Sequence, residues 1–380
     1  MKAVPEATEY PRTIGKDGKL KVTRKNDWTE GFYPGCLWYV YEYTNKEDWK
    51  KAAIKWTESL EPLKKMTNHH DIGFLMYCSF GNAYRLTGNE AYKDVLVESA
   101  RSLCTRFNEK TGCIKSWNYR KSWNGKDEWF YPVIIDNMMN LELLYFATKV
   151  TGDSVYAKVA NRHAETTAKN QFREDYSNYH VVNYDAETGE VLNQATCQGF
   201  SDNSAWARGQ AWAIYGYTMA YRETHRQDFL DMAVHTADFW LNHPNLPEDG
   251  IPYWDFNAGQ EDYVPDWNYD PEIFKVVPRD ASAAAIVASA FLELSGYVTD
   301  GKKYSAAAAH ILKSLSSPAY LAEPGTNCNF ILMHSVGSIP HGEEIDVPLI
   351  YADYYYLEAL MRYKNCLLYT SPSPRDMRRS

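Results

Sequence analysis

An all-α protein, built of helical hairpins that close into an (α/α)6 toroid, is predicted by two observations. Five times a helical stretch meets a short polar break and restarts on an aromatic residue: YEYTNKEDW, YRLTGNEAY, YFATKVTGDSVY, YRETHRQDF and LELSGYVTDGKKY. The anchors Trp49, Tyr92, Tyr156, Phe229 and Tyr304 are unequally spaced, which argues against a solenoid of uniform repeats. The helices also alternate in character. One that is mostly apolar precedes each break and one with a polar stripe follows it, the pattern of buried inner and solvent-facing outer helices.

Inner helices, rich in apolar, small and aromatic residues, are expected at 31–43, 71–87, 135–150, 204–222, 280–296 and 348–364. Outer helices such as 91–106 and 154–169 carry Lys, Glu and Arg at positions that face water. If every inner helix runs the same way, the inner N-termini and the loops leading into them open on one face of the barrel. Residues distant in sequence then meet there.

The opening MKAVPEATEYPRT is polar, has no apolar leader and runs directly toward the first inner helix, so the outer helix that should precede it is expected to be missing from an N-terminally truncated chain. Residues 366–380, CLLYTSPSPRDMRRS, break the helical periodicity after RYKN and read as a non-native, adapter-like tail. Residues 1–365 then form a single catalytic-size domain, since helical toroids keep one core at this length.

The formal charge is −9, and neither a basic patch for nucleic acid nor a basic amphipathic helix for a membrane surface is present. No apolar run reaches the roughly 18 residues of a membrane span. A soluble protein of a bacterial cytoplasm or periplasm is expected, with the compartment undecided. Cys36, Cys78, Cys104, Cys113, Cys197 and Cys328 show no CxxC pairing, which favours free thiols over disulfides or zinc.

Aromatics make up 15% of residues, with 12 Trp and 30 Tyr, more than a core alone tends to need. They cluster in DWTEGFYPGCLWY, KSWNYRKSWNGKDEWFY and IPYWDFNAGQEDYVPDWNYD, in loops ahead of inner helices. Ring faces with polar edges suit the C–H faces of sugars, and loop packing is the plain alternative.

Acidic residues mark the same mouth. Asp71 follows His69 and His70 at the start of one inner helix, Asp136 opens IDNMMNLELL and Asp280 opens RDASAAAIVASA. Each is either an N-cap or half of a pair of carboxylates for acid/base work on a glycoside. Metal ligation by His69, His70 and Asp71 is disfavoured, because adjacent helical residues point about 100° apart; no metal and no cofactor are expected. In QGFSDNSAWARGQAW, Arg208 and Trp212 lie four apart on one helix face. Arg208 serves there either as the partner of a neighbouring Asp or as a bidentate clamp on a substrate carboxylate.

HHDIGF, IIDNMMNLELL and QGFSDNSAWARGQAWAIYGY, in this order, resemble glycoside hydrolase family 88, the unsaturated glucuronyl hydrolases, over nearly all of 27–365. The resemblance implies removal of a 4,5-unsaturated uronic acid from the non-reducing end of lyase-generated oligosaccharides, by hydration of the C4=C5 vinyl ether. It implies Asp136 as general acid and then base, and Asp71 as the second carboxylate. It places His70, His180, Gln198, Arg208, Trp212 and Trp28 at substrate-contacting positions, with Arg208 as clamp and Trp212 as stacking platform. The expected partner is therefore a small anionic oligosaccharide.

Some members of the family carry a Ser-x-x-Ser-x-Lys stretch that contacts sulfate. Here HSVGSIPHG supplies Ser335 and Ser338, but Pro340 stands in place of the Lys. Unsulfated chondroitin, hyaluronan and heparin-type disaccharides stay open. So do two other readings, an unsaturated rhamnogalacturonyl hydrolase acting on pectin fragments and a non-catalytic sugar-binding protein.

Overall fold

The computed structural model describes residues 7–24, 26–122 and 125–370. Its helices are α1 (Phe32–Thr44), α2 (Glu47–Glu58), α3 (Ile72–Met76), α4 (Asn82–Thr87), α5 (Glu90–Cys104), α6 (Leu141–Thr151), α7 (Val155–Asn170), α8 (Ala207–Thr224), α9 (Gln227–Asn242), α10 (Ala281–Leu294), α11 (Gly301–Leu315) and α12 (Ile350–Thr370). The apolar helices pack in sequence order: α1 against the α3–α4 segment, that segment against α6, then α6 against α8, α8 against α10 and α10 against α12. Helix α12 returns to α1. The amphipathic helices α2, α5, α7, α9 and α11 pack outside them.

Four of the five breaks share one local device. Asn45, Gly88, Gly152 and His225 adopt the left-handed conformation just past α1, α4, α6 and α8, and each backbone N–H returns to the preceding turn. The Thr before each of them, Thr44, Thr87, Thr151 and Thr224, donates its hydroxyl to the carbonyl four residues back. Orphan carbonyls at the helix end are thus satisfied, and the chain reverses into the next helix.

The all-α expectation needs correction in the connections that lead into inner helices. Short antiparallel ladders occupy them: β1 (Tyr10–Ile14) with β2 (Leu20–Thr23), β3 (Phe107–Asn108) with β4 (Cys113–Ile114), and β5 (Arg120–Lys121) with β6 (Glu128–Trp129). The strands β7 (Pro132–Ile134), β8 (Val181–Tyr184) and β9 (Val191–Ala195) form one sheet, and β10 (Ser335–Ser338) pairs with β11 (Glu343–Val347). Long connections that pack on a helical core must still pair their backbone groups, and these ladders do so.

Two inner helices also differ from the expected spans. A π turn at Tyr77–Gly81 splits 71–87, and residues Ile135–Asn140 form a 3-10 turn before α6. Close approach explains the second case: a Cβ on Gly73 would meet Asn140 at 2.4 Å, and one on Gly216 would meet Met138 at 2.5 Å. The two glycines let the 3-10 turn nest between α3 and α8. Helix α12 continues through Thr370, beyond the expected end at RYKN, because CLLYT contains neither Gly nor Pro to stop it.

Candidate active site

Strand register brings the first two site residues together. In the antiparallel pairing of β7 with β8, Ile134 lies opposite Val181, so the residues just past the end of β7 meet those just before β8. Ile135 N–H donates to the His180 carbonyl at 3.1 Å. His180 Nε2 then lies 3.6 Å from Asp136 Oδ2, a charge contact too long for a hydrogen bond.

The His180 tautomer follows from its other nitrogen. Nδ1 accepts the backbone N–H groups of Cys197 at 3.0 Å and Gln198 at 3.1 Å. A nitrogen that accepts carries no proton, so the neutral ring bears its hydrogen on Nε2, facing Asp136. Burial holds the His180 pKa below its ordinary value despite the attraction of Asp136. Asp136 is 8% exposed, and its Oδ2 has no hydrogen-bond partner among the described residues.

Just ahead of α3, His69 Nδ1 lies 3.1 Å from Asp71 Oδ2 and His70 Nε2 lies 3.2 Å from Asp71 Oδ1. The helical argument that adjacent residues diverge does not apply here, since α3 starts only at Ile72 and the two rings converge from a bend. The second contact is close but not aligned as a hydrogen bond, for His70 Nε2 lacks a partner by that criterion. Burial pushes the Asp71 carboxyl up, yet His70, His69 and Arg106 outweigh it and hold the pKa below the usual range. His70 is fully buried, which lowers its pKa, and it feels the opposing pull of both Asp71 and Asp136. Ser116 joins the two halves: its carbonyl accepts His70 N–H, its Oγ accepts Ile134 N–H at 3.0 Å, and the same Oγ lies 3.3 Å from His70 Nδ1.

The three inner-helix aspartates separate cleanly on capping. Asp280 accepts Ser282 N–H at 3.0 Å and binds Arg208 Nη1 at 3.0 Å through its other oxygen. Neither Asp71 nor Asp136 spends its side chain on capping the helix start. Only Asp280 is structural in the capping sense.

Arg208 takes the first of the two roles open to it, as the partner of a neighbouring Asp, and Trp212 packs inside the core. All four terminal guanidinium N–H groups of Arg208 are engaged, Nη1 by Asp280 and the Val336 carbonyl, Nη2 by Gln198 Oε1 at 2.9 Å and the Gly337 carbonyl at 2.6 Å. A clamp on substrate would have to displace one of these. Trp212 is fully buried between Phe74 and Tyr355, so neither face of its ring is open for stacking in this state. Gln198 lies at the site through Arg208 and His180. Half-buried Trp28 stands across Tyr351 from Arg208.

Ser116, Trp206, Trp117, Arg120 and His341 belong to the same neighbourhood and were not foreseen as site residues. Trp206 packs on the His180 ring at 4.5 Å and under Arg208 at 4.6 Å, and Trp117 meets His180 edge-on at 6.3 Å. The aromatic cluster KSWNYRKSWNGKDEWFY pointed to Trp117, but nothing local marks Ser116 or His341.

Comparison with known proteins fits this geometry. The family model of Glycosyl Hydrolase Family 88 matches residues 6–245. An unsaturated glucuronyl hydrolase of Formosa agariphila is 49% identical over 365 residues, 95% of this chain and 86% of the relative. An unsaturated chondroitin disaccharide hydrolase of Streptococcus agalactiae is 35% identical, with 95% and 87% covered. A crystal structure of an unsaturated glucuronyl hydrolase specific for heparin superposes with a TM-score of 0.89 at 47% identity, covering 96% of this chain and 93% of that one.

Proposed function

The chain belongs to Glycosyl Hydrolase Family 88, and on that premise we propose that it removes 4,5-unsaturated uronic acid from the non-reducing end of glycosaminoglycan-type oligosaccharides. The supporting observation is the buried, unpartnered Oδ2 of Asp136, facing a His180 Nε2–H whose tautomer two backbone amides fix. In this reading Asp136 delivers a proton to C4, positive charge develops at C5, and the ionised Asp71 stabilises it. Asp136, now a carboxylate, takes a proton from the water that adds to C5. The hemiketal opens and the neighbouring sugar is released.

Arg208 is here a positioning residue that holds Gln198 and the β10 backbone, and the stacking role passes from the fully buried Trp212 to a half-buried ring such as Trp28. The packing order of the helices supports an (α/α)6 toroid, with outer helices in five of the gaps between successive inner ones.

The test follows the ultraviolet absorbance of the conjugated C=C–carboxylate in lyase-generated disaccharides. Wild type is expected to remove it. Asp136→Asn, shown to be folded by its melting curve, is expected to lose about 10²-fold or more in kcat. A folded wild type that leaves chondroitin-, heparin- and pectin-type unsaturated disaccharides untouched would overturn the proposal.

A further inference from the structure

Arg120 stands on β5, opposite the fully buried Trp129 of β6. Its guanidinium lies over the Trp117 ring at 4.7 Å and donates from Nη2 to His341 Nε2 at 2.5 Å. That nitrogen is an acceptor, so His341 carries its proton on Nδ1, toward Ser338 Oγ at 2.5 Å. Burial first, and then the charge of Arg120, push the His341 pKa down to about 4, and the ring is neutral at ordinary pH.

No carboxylate lies within ion-pair distance of Arg120 among the described residues; Arg106 and Arg173 share that lack but give N–H groups to backbone carbonyls, and Arg12, Arg85, Arg208, Arg222, Arg279 and Arg362 each have a carboxylate. A permanently charged group is thus held between two neutral rings. Its field reaches His180 and Cys197, which places it beside the acid–base pair.

Ring geometry says which part of a substrate meets it. His70, Asp136 and His180 are buried and the Asp71 side chain is nearly so, while Arg120 is half-buried on a short hairpin. In a pyranose, C1 is across the ring from C4. With C4 at Asp136 on the floor, the glycosidic bond and the leaving sugar point toward the rim.

We propose that Arg120 binds an anionic substituent, a sulfate or a carboxylate, on the leaving sugar; the inference rests on the uronyl hydrolase reading above. A guanidinium meets either group through paired charge-assisted hydrogen bonds, and Trp117 and His341 hold its plane in place.

Three substrates test it by kcat/KM: the unsulfated unsaturated chondroitin disaccharide, its monosulfated forms, and an unsaturated digalacturonate whose leaving sugar is itself a carboxylate. Arg120→Gln is expected to lower the ratio of an anionic to the unsulfated substrate about tenfold, chiefly through KM, and Arg120→Lys to restore part of it. The substrate whose ratio falls identifies the anion. Equal losses on all three, no loss on any, or a wild type that rejects both anionic leaving sugars would each overturn the assignment. If wild type consumes no unsaturated disaccharide at all, the parent reading has failed, and calorimetric binding of the sulfated disaccharide still decides. Weaker binding by Arg120→Gln than by wild type then keeps the inference, and equal binding removes it.

Discussion

The two ends of the inner helices bury charge in opposite ways. Toward the C-terminal ends of the inner helices, Glu358 accepts from the hydroxyls of Tyr39, Tyr215 and Ser289, and Arg362 binds Glu293 at 2.7 Å and Glu358 at 3.3 Å. Arg222 adds Glu142 and Glu293. None of these side-chain atoms is left without a partner. At the N-terminal ends, His69 Nε2, His70 Nε2, Asp136 Oδ2, Asn137 Oδ1 and His180 Nε2 are buried with no hydrogen-bond partner among the described residues. A satisfied network ties five helices together, whereas unspent hydrogen-bonding capacity is what a ligand uses. Burial of charge alone does not mark a site; here unpaired carboxylate and imidazole atoms gathered at one end do.

The sharpest way to break this comparison is Asp71→Asn. The change is nearly isosteric and removes the charge that His69 and His70 hold, so kcat is expected to fall about 10²–10³-fold with little loss of stability. A rate within twofold of wild type would reduce Asp71 to a structural role. The converse substitution, Glu358→Ala, strands three hydroxyls and loosens Arg362. Urea unfolding is expected to show a loss of about 3 kcal/mol, with the folded fraction turning over at the wild-type rate. A stable but slow variant would mean that the two ends communicate.

The smallest effect is the pH dependence of stability. His70 and His180 are held below their ordinary pKa by burial, so as pH falls below about 6.5 the unfolded chain takes up their protons first and stability drops. His69 opposes this: although burial disfavours its charge, Asp71 raises its pKa, so its contribution is full at low pH and is lost as pH rises through the raised value. Asp71 itself, held low, adds a further loss as pH falls through its depressed value. The melting temperature is expected to decline by a few degrees on acidification from neutrality, and less so in His180→Gln. A flat profile would contradict the buried, neutral state of both rings.

Much of this was legible in the chain. Helical periodicity and the polar breaks that restart on an aromatic residue located α1, α5, α7, α10 and their partners to within a few residues, because a helix is specified by spacing along itself. Asp71 and Asp136 were legible as candidates at helix starts, but an aspartate there looks the same whether it caps or reacts, and only resemblance chose between the two and added His70, His180 and Gln198.

The partners of Arg208 and Arg120 depend on contacts across the fold. Arg208 is occupied by Asp280 and by the carbonyls of Val336 and Gly337, 128 and 129 positions away. Arg120 finds His341 at a separation of 221, and through that ring it is linked to Ser338. Sequence by itself determined which segments are helical, which faces are apolar and which residue types are on hand for acid–base chemistry, all properties of neighbours along the chain. Only the tertiary structure decided which charge pairs with which. Coulomb and hydrogen-bond energies depend on distance in space, and the register of β7 on β8, like the nesting of the 135–140 turn between α3 and α8, is set only when the elements pack.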